Sequence, residues 1–308
     1  MSIAKFSVNQ PKEIQQYYRE QGYVIICKAL KLDKIDVLLD LVEQKKRDRL
    51  FVFNSQDTHI PTRPRLTEAG FIENSMLNPA NLKFSPRLSR AIESCLVDPT
   101  VAEILSVLSG DRAHVMIQNM LFDKSTGTIE HQDHYYLDAD PPGNMVAAWY
   151  ALENIQEDAG CFFVLPGSHR GRVISRANAK NFSDHEDYRK EIITLIHNSD
   201  YQYKAFPLEK GDVLFWHPYT IHGAYKNTNP QHSRKSLTAH FYPAQYKPLY
   251  AANAPKLHAS INPRILMTGD AIAPYVDSFK TYLRFVANAL RGRGPEMVMR
   301  RENYEEAA

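Results

Sequence analysis

The sequence predicts a mainly β domain with flanking helices, because its hydrophobic period changes once along the chain. Between residues 11 and 110 apolar side chains recur at three and four, the spacing of an amphipathic helix. From His114 onward they form short strand-like runs closed by Gly, Pro, Asn and Asp. A succession of short strands buries its apolar faces by pairing two sheets, so the expected architecture is a two-sheet β fold supported by amino-terminal helices.

Each element has a local reason. "PKEIQQYYREQG" predicts a first helix, with Pro11 near the start, where no intrahelical donor is needed, and Gly22 at the end. "DKIDVLLDLVEQKKRD" places Ile35, Leu38, Leu39 and Val42 on one helical face. "SPRLSRAIESCL" and "DPTVAEILSVLSG" predict two more helices, opened by Ser85 and Asp98 as caps. The strands follow as "HVMIQNMLF", "NMVAAWYAL", "CFFVL", "YQYKAFPL", "DVLFWHP" and "KSLTAHFYP". No repeat, low-complexity stretch or linker divides the chain, so one domain is expected over 1–308. Its parts are a mainly helical support (1–110), a β core (111–245) and a carboxy-terminal helical extension (246–308).

Three segments break the strand pattern and are candidates for shaping a pocket. Residues 50–85, with three prolines in "IPTRPRLTEAGFIENSMLNP", suit a lid or an ordered surface loop. Residues 170–200 form a polar, partly helical insertion. The loop "HYYLDADPPGN" supplies Tyr135, Tyr136, Asp138 and Asp140, although Asp, Pro and Gly also serve as plain turn residues.

Composition narrows the function classes. With 44% hydrophobic and 23% charged residues a sizeable core is expected. A net charge of +2 makes no case for a nucleic-acid partner, which needs a concentrated basic surface; the one basic cluster, "RGRGPEMVMRR", abuts the acidic "ENYEEAA" and reads as a solvated tail. No apolar run approaches the ~20 residues of a membrane span, and the start lacks a signal-peptide pattern, so a cytoplasmic protein is expected. Cys27, Cys95 and Cys161 are odd in number and unpaired in spacing, as expected of reduced, buried thiols.

The chemistry is carried by "IEHQDHYYL" and "FWHPYTIHGAYKN". In an extended chain successive side chains alternate faces, so His131 and Asp133 point the same way while Gln132 points away. His222, 222 − 133 = 89 residues on, can complete a set of two imidazoles and one carboxylate. That is the facial triad of non-heme Fe(II) oxygenases, which leaves half the metal open for a chelating 2-oxo acid and dioxygen; a closed four-ligand structural zinc site leaves nothing open. Arg234, twelve residues after His222, offers a bidentate fork for a distal carboxylate.

Downstream, "GCFFVLPGSHRGR", "LEKGDVLFWHPYTIHGAYKNTN" and "SRKSLTAHFYP" come in the order and spacing of the phytanoyl-CoA dioxygenase-like family of Fe(II)/2-oxoglutarate oxygenases, which the chain resembles over roughly residues 110–245. "YYREQGYVIICKAL" resembles the family's opening helix and strand more loosely. The resemblance implies a double-stranded β-helix (jelly roll, cupin-like) core. It implies His131, Asp133 and His222 as catalytic iron ligands, and Arg234, Gln118 and Trp149 as contacts of the cosubstrate 2-oxoglutarate; Gln118 and Trp149 also read as plain strand and core residues. Where relatives often carry Ser two positions after the distal histidine, this chain has Ala224. His217, before Pro218, is expected to be structural or to support the ligands rather than to be one, and His134 to be an exposed loop residue or else to help position the substrate.

The resemblance further implies a dioxygenase using Fe(II), 2-oxoglutarate and O2 to hydroxylate an unactivated C–H of a small molecule, with release of succinate and CO2. Desaturation, epimerisation or ring formation would use the same site. A halogenase would need a small residue at Asp133, and a non-catalytic iron/2-oxoglutarate-binding protein would be expected to lack a ligand or the arginine. The alternative substrate is an acyl-CoA ester, but the loop expected at the pocket, with Asp138 and Asp140, is acidic; that favours a small polar or cationic metabolite and a step in natural-product biosynthesis. Nothing in the sequence sets the oligomeric state.

Overall fold

A computed structural model describes residues 3–59, 61–176, 185–250, 255–269 and parts of 283–291. Its helices are α1 (Pro11–Gln21), α2 (Leu32–Lys46), α3 (Pro86–Leu96), α4 (Pro99–Ser109) and α5 (His185–His197). The strands begin with β1 (Tyr23–Ile26), β2 (Phe53–Ser55), β3 (Pro61–Thr62), β4 (Met76–Leu77), β5 (His114–Phe122), β6 (Thr128–His131), β7 (Ala139–Asp140) and β8 (Val146–Ala151). They continue with β9 (Phe162–Val164), β10 (Lys204–Phe206), β11 (Val213–Trp216), β12 (His222–Ala224), β13 (Ser236–Pro243), β14 (Lys247–Pro248), β15 (Leu257–Ala259) and β16 (Ile265–Thr268).

The larger sheet runs β1, β11, β8, β13, β5, β4, β2 and β3, and the smaller runs β10, β9, β12 and β6. Period-two alternation divides the larger sheet between two cores. Val24, Tyr150, Val213, Phe215, Leu237 and Phe241 point outward and are buried with Ile14, Leu38, Ile92 and Ile104 of the helices. Tyr23, Trp149, Leu214 and Trp216, on the opposite pleats, meet Phe162 and Val164 of the smaller sheet. Both faces of the larger sheet are therefore covered, and its strands read as near-continuous apolar runs.

The amino-terminal helices form where the sequence predicts them. Gly22 ends α1 with a left-handed φ of 78° that gives its N–H to Tyr18. Asp98 caps α4 by accepting from Thr100 N–H. Ser85 makes no such bond; Pro86 occupies the first turn of α3 and removes one donor that would have needed a cap.

Two expectations need revision. Residues 50–85 contribute β2 to β4 and extend the larger sheet through the β4–β5 pairing, so they are a built part of it. The segment from 246, expected to begin a helical extension, forms β14, β15 and β16, and β16 runs parallel to β5. Most of the chain beyond residue 269, including the basic cluster, lies outside the described residues, as do 177–184 of the insertion.

Candidate active site

β6 and β12 are antiparallel neighbours with His131 directly opposite His222, and their rings lie 4.2 Å apart. After His131 the chain stays extended for one residue and then turns at Asp133, which begins a single 3-10 turn. Gln132 thereby points into the core opposite the ligand side. Its amide donates to the carbonyls of Arg172 and Tyr219 and accepts from Ile174 N–H. One donor atom each from His131, Asp133 and His222 lies within 4.8 Å of the others, and each Nε2 stands 3.5 Å from Asp133 Oδ1.

The tautomers suit a cation. His131 Nδ1 donates to the Ile129 carbonyl at 2.8 Å and His222 Nδ1 to the Thr220 carbonyl at 2.9 Å, each two residues back along its own chain. Both Nε2 atoms therefore present a lone pair to the site, as a metal-binding imidazole requires. Burial pushes the His222 imidazolium down to about 3, leaving the ring neutral. Burial alone would raise the Asp133 carboxyl, but the surrounding His222, His240 and His131 rings outweigh it and hold it well below the usual carboxylate range. Neutral imidazoles and an ionised carboxylate are the forms that bind metal.

Asp133 is oriented from behind. The Trp216 indole N–H donates to its Oδ2 at 2.8 Å, and His240 Nε2 lies 3.5 Å from the same oxygen. Sequence motifs mark neither residue as functional. Alternation could have found them: Trp216 shares the inward face of β11 with Leu214, and His240 shares that of β13 with Thr238.

One cavity of about 640 Å³ opens over the triad. Its walls include Gln118, Trp149, Thr238, His240, Ala224 and Arg234, with Tyr136, Arg176, Gln56, Asp57 and His59 among the rest. Arg234 is 3% exposed, and its guanidinium lies 5.3 Å from the Phe122 ring centre and 5.8 Å from that of Trp149. Among the described residues its guanidinium makes one polar contact, a long 3.5 Å bond to the Gly160 carbonyl; its Nε has no acceptor there, and no carboxylate lies within 4 Å. Burial lowers its pKa to about 10, so it stays cationic near neutrality. A buried cation beside a cavity without a counter-ion is complementary to an anionic ligand. The two inward Nε2 atoms, the ionised Asp133 and this orphaned guanidinium together fit a divalent cation chelated by a dicarboxylate.

The loop after the metal pair differs from expectation. Tyr136 lines the cavity, but Tyr135 turns away to stack on Tyr188 of α5 at 3.8 Å. Asp138 is buried and fully engaged: it takes His134 Nδ1 at 2.7 Å and the N–H groups of Ala139 and Gly143. Asp140 is exposed in β7, opposite Lys247. Neither aspartate lines the cavity, because the tight turn spends the first on its own backbone and leaves the second in solvent. His134, expected to be exposed, is buried by the same contact. His217 lies off the cavity and accepts from Tyr219 N–H, a structural position.

The family model for phytanoyl-CoA dioxygenase matches residues 18–236. Among curated relatives, peroxisomal phytanoyl-CoA dioxygenase of Bos taurus is 32% identical over 136 residues, 42% of this chain and 38% of that protein. Phytanoyl-CoA dioxygenase 1 of Oryza sativa subsp. japonica is 32% identical over 144 residues, 46% and 48% respectively. The chain thus matches less than half the length of these relatives. Of solved structures, the α-ketoglutarate-dependent carbocyclase SnoK from nogalamycin biosynthesis is 21% identical, with TM-score 0.56 over 80% of this chain and 89% of that one. EctD from S. alaskensis, solved with 2-oxoglutarate and 5-hydroxyectoine, is 17% identical, with TM-score 0.58 over 84% and 88%. At these identities the likeness shows the fold, a cupin-like jelly roll. Among the described residues no helix is long and apolar enough to cross a membrane.

Proposed function

Because the chain belongs to the phytanoyl-CoA dioxygenase family, we propose that it is an Fe(II)/2-oxoglutarate-dependent dioxygenase that hydroxylates an unactivated C–H of a small-molecule metabolite. The observation that carries the reading is the buried, unpaired Arg234 in the same cavity as the three metal-type ligands. A histidine–carboxylate cluster alone would suit many metals, and a buried arginine alone would suit many anions; together they match a cation chelated by a dicarboxylic 2-oxo acid.

His131, Asp133 and His222 would hold the iron. When bound, it would supply dioxygen activation coupled to decarboxylation of 2-oxoglutarate, giving succinate, CO2 and an oxidised C–H. The protein's part is positioning. Trp216 and His240 fix Asp133 from behind. Arg234 would neutralise the far carboxylate of the cosubstrate against the Trp149 face, and Gln118 and Thr238 offer polar groups along the same wall. The apolar faces of Phe122, Trp149 and Phe162, which line the cavity, would limit water at the reacting centre.

The relatives named for phytanoyl-CoA favour a second reading, an acyl-CoA 2-hydroxylase; the nogalamycin-pathway neighbour is in keeping with a natural-product substrate. A cytoplasmic location belongs to the same proposal. The test is anaerobic titration of the purified protein with Fe(II) and 2-oxoglutarate. A metal-to-ligand charge-transfer band in the visible, and succinate formation on admitting oxygen, are expected; absence of both would overturn the reading.

A further inference from the structure

The cavity that holds Arg234 is lined by a second arginine. Arg176 lines the cavity together with His131, Asp133, Tyr136 and His222. Its guanidinium carbon lies 5.3 Å from the Tyr135 ring centre and 5.2 Å from that of Tyr250, so two aromatic faces hold it. Tyr135 is itself fixed, being 7% exposed and stacked on Tyr188, and Tyr136 beside it packs edge-on against His131 at 5.7 Å. Among the described residues no carboxylate lies within 4 Å of Arg176. Asp57 also lines the cavity, but among the described residues no hydrogen bond or ion pair fixes its carboxylate, and no aromatic surface is shown against it. The loop aspartates expected to make this pocket acidic are absent from its walls.

We propose that Arg176 determines specificity by receiving an anionic group of the substrate, a carboxylate or a phosphate ester. This rests on the dioxygenase reading and adds the chemical class that the site selects. The physical reason is complementarity. A cation held between rings keeps its outward donors unspent, and an Arg fork pairs with two oxygens of a carboxylate or phosphate. With Arg234 given to the cosubstrate, Arg176 is the arginine left for the substrate. A cationic metabolite would meet it as a like charge.

The experiment loads the protein with Mn(II), which does not turn over, and N-oxalylglycine, an unreactive analogue of 2-oxoglutarate. Binding is measured calorimetrically for matched pairs: aliphatic and aromatic carboxylates against their primary amides, and coenzyme A against pantetheine. Anionic members should outbind their neutral partners by about tenfold, the size of one charge-assisted pair. Arg176→Gln should abolish that preference, and Arg176→Lys should keep part of it. Preference among the carboxylates identifies a metabolite acid, and preference for coenzyme A a phosphate-bearing ester. A wild-type panel in which no anion outbinds its neutral partner, or a preference that survives Arg176→Gln, would overturn the inference. Failure of Mn(II) and N-oxalylglycine to bind the wild type would instead overturn the dioxygenase reading, and this inference with it.

Discussion

A guanidinium removed from water without a counter-ion is costly, and Arg234 is held in that state by Phe122, Trp149 and a single long bond to Gly160. Arg234→Ala should therefore raise the apparent Michaelis constant for 2-oxoglutarate far more than that for the substrate. The lost charge-assisted pair is worth about 1.5–3 kcal/mol, or about ten- to a hundredfold. Arg234→Lys should recover only part, because an ammonium lacks the planar fork. Steady-state kinetics with 2-oxoglutarate varied checks this, and an unchanged constant in both variants reassigns the anchor. Trp216→Phe tests the support behind the metal site. It keeps an aromatic ring between the sheets but removes the 2.8 Å N–H bond that orients Asp133. Metal affinity should fall about ten- to a hundredfold, as for other groups that orient a ligand; Mn(II) titration followed by electron paramagnetic resonance measures it.

At the level of elements, β12 must press closely between β6 and β9 for His222 to face His131. Gly223 permits this: a Cβ there would lie 2.5 Å from the Thr128 carbonyl oxygen and 2.6 Å from Phe163 Cζ. Gly223→Ala should force the strands apart, weakening metal binding and lowering the melting temperature together; wild-type metal affinity in this variant would mean that β12 yields without moving His222. A second junction ties the helical layer to the cosubstrate wall. Asp123, at the end of β5, pairs with Lys46 of α2 at 2.6 Å and Lys235 at 3.2 Å, and accepts Ile72 N–H at 2.7 Å. Its carbonyl also receives the N–H of Arg234. Asp123→Ala would leave the nearly buried Lys46 without this partner, and a loss of about 3–5 kcal/mol is expected in urea unfolding. Loss under about 1 kcal/mol would show that both lysines swing to solvent.

For the molecule as a whole, the two main cores are closed by apolar contacts that do not involve the metal side chains. Ala at His131, Asp133 or His222 should therefore abolish Fe(II) binding and turnover while leaving far-ultraviolet dichroism and cooperative unfolding intact. Full activity in any one of these variants would sink the triad assignment. The four amino-terminal helices and the strands β5, β8, β9, β10, β11 and β13 were legible because local periodicity, proline and glycine set them. The short β2 to β4 and β14 to β16 were not: they lie in segments that read as a loop and a helical extension, where two to four residues carry too little period to show. The triad was legible because two ligands sit within one extended tripeptide and the third lies in a distinctive strand context. Short-range pattern by itself thus determined a mainly β class with amino-terminal helices and the paired orientation of His131 and Asp133; the jelly roll and His222 as their distant partner rested on the resemblance to the family. Only the tertiary structure decided which side of the turn after Asp133 faces the cavity. There Asp138 folds back onto His134 and the backbone, while Arg176, arriving from the insertion, joins the wall between Tyr135 and Tyr250. Spacing along the chain cannot encode that choice, because the competition between a turn's own backbone donors and a distant cavity is settled by how separate segments pack.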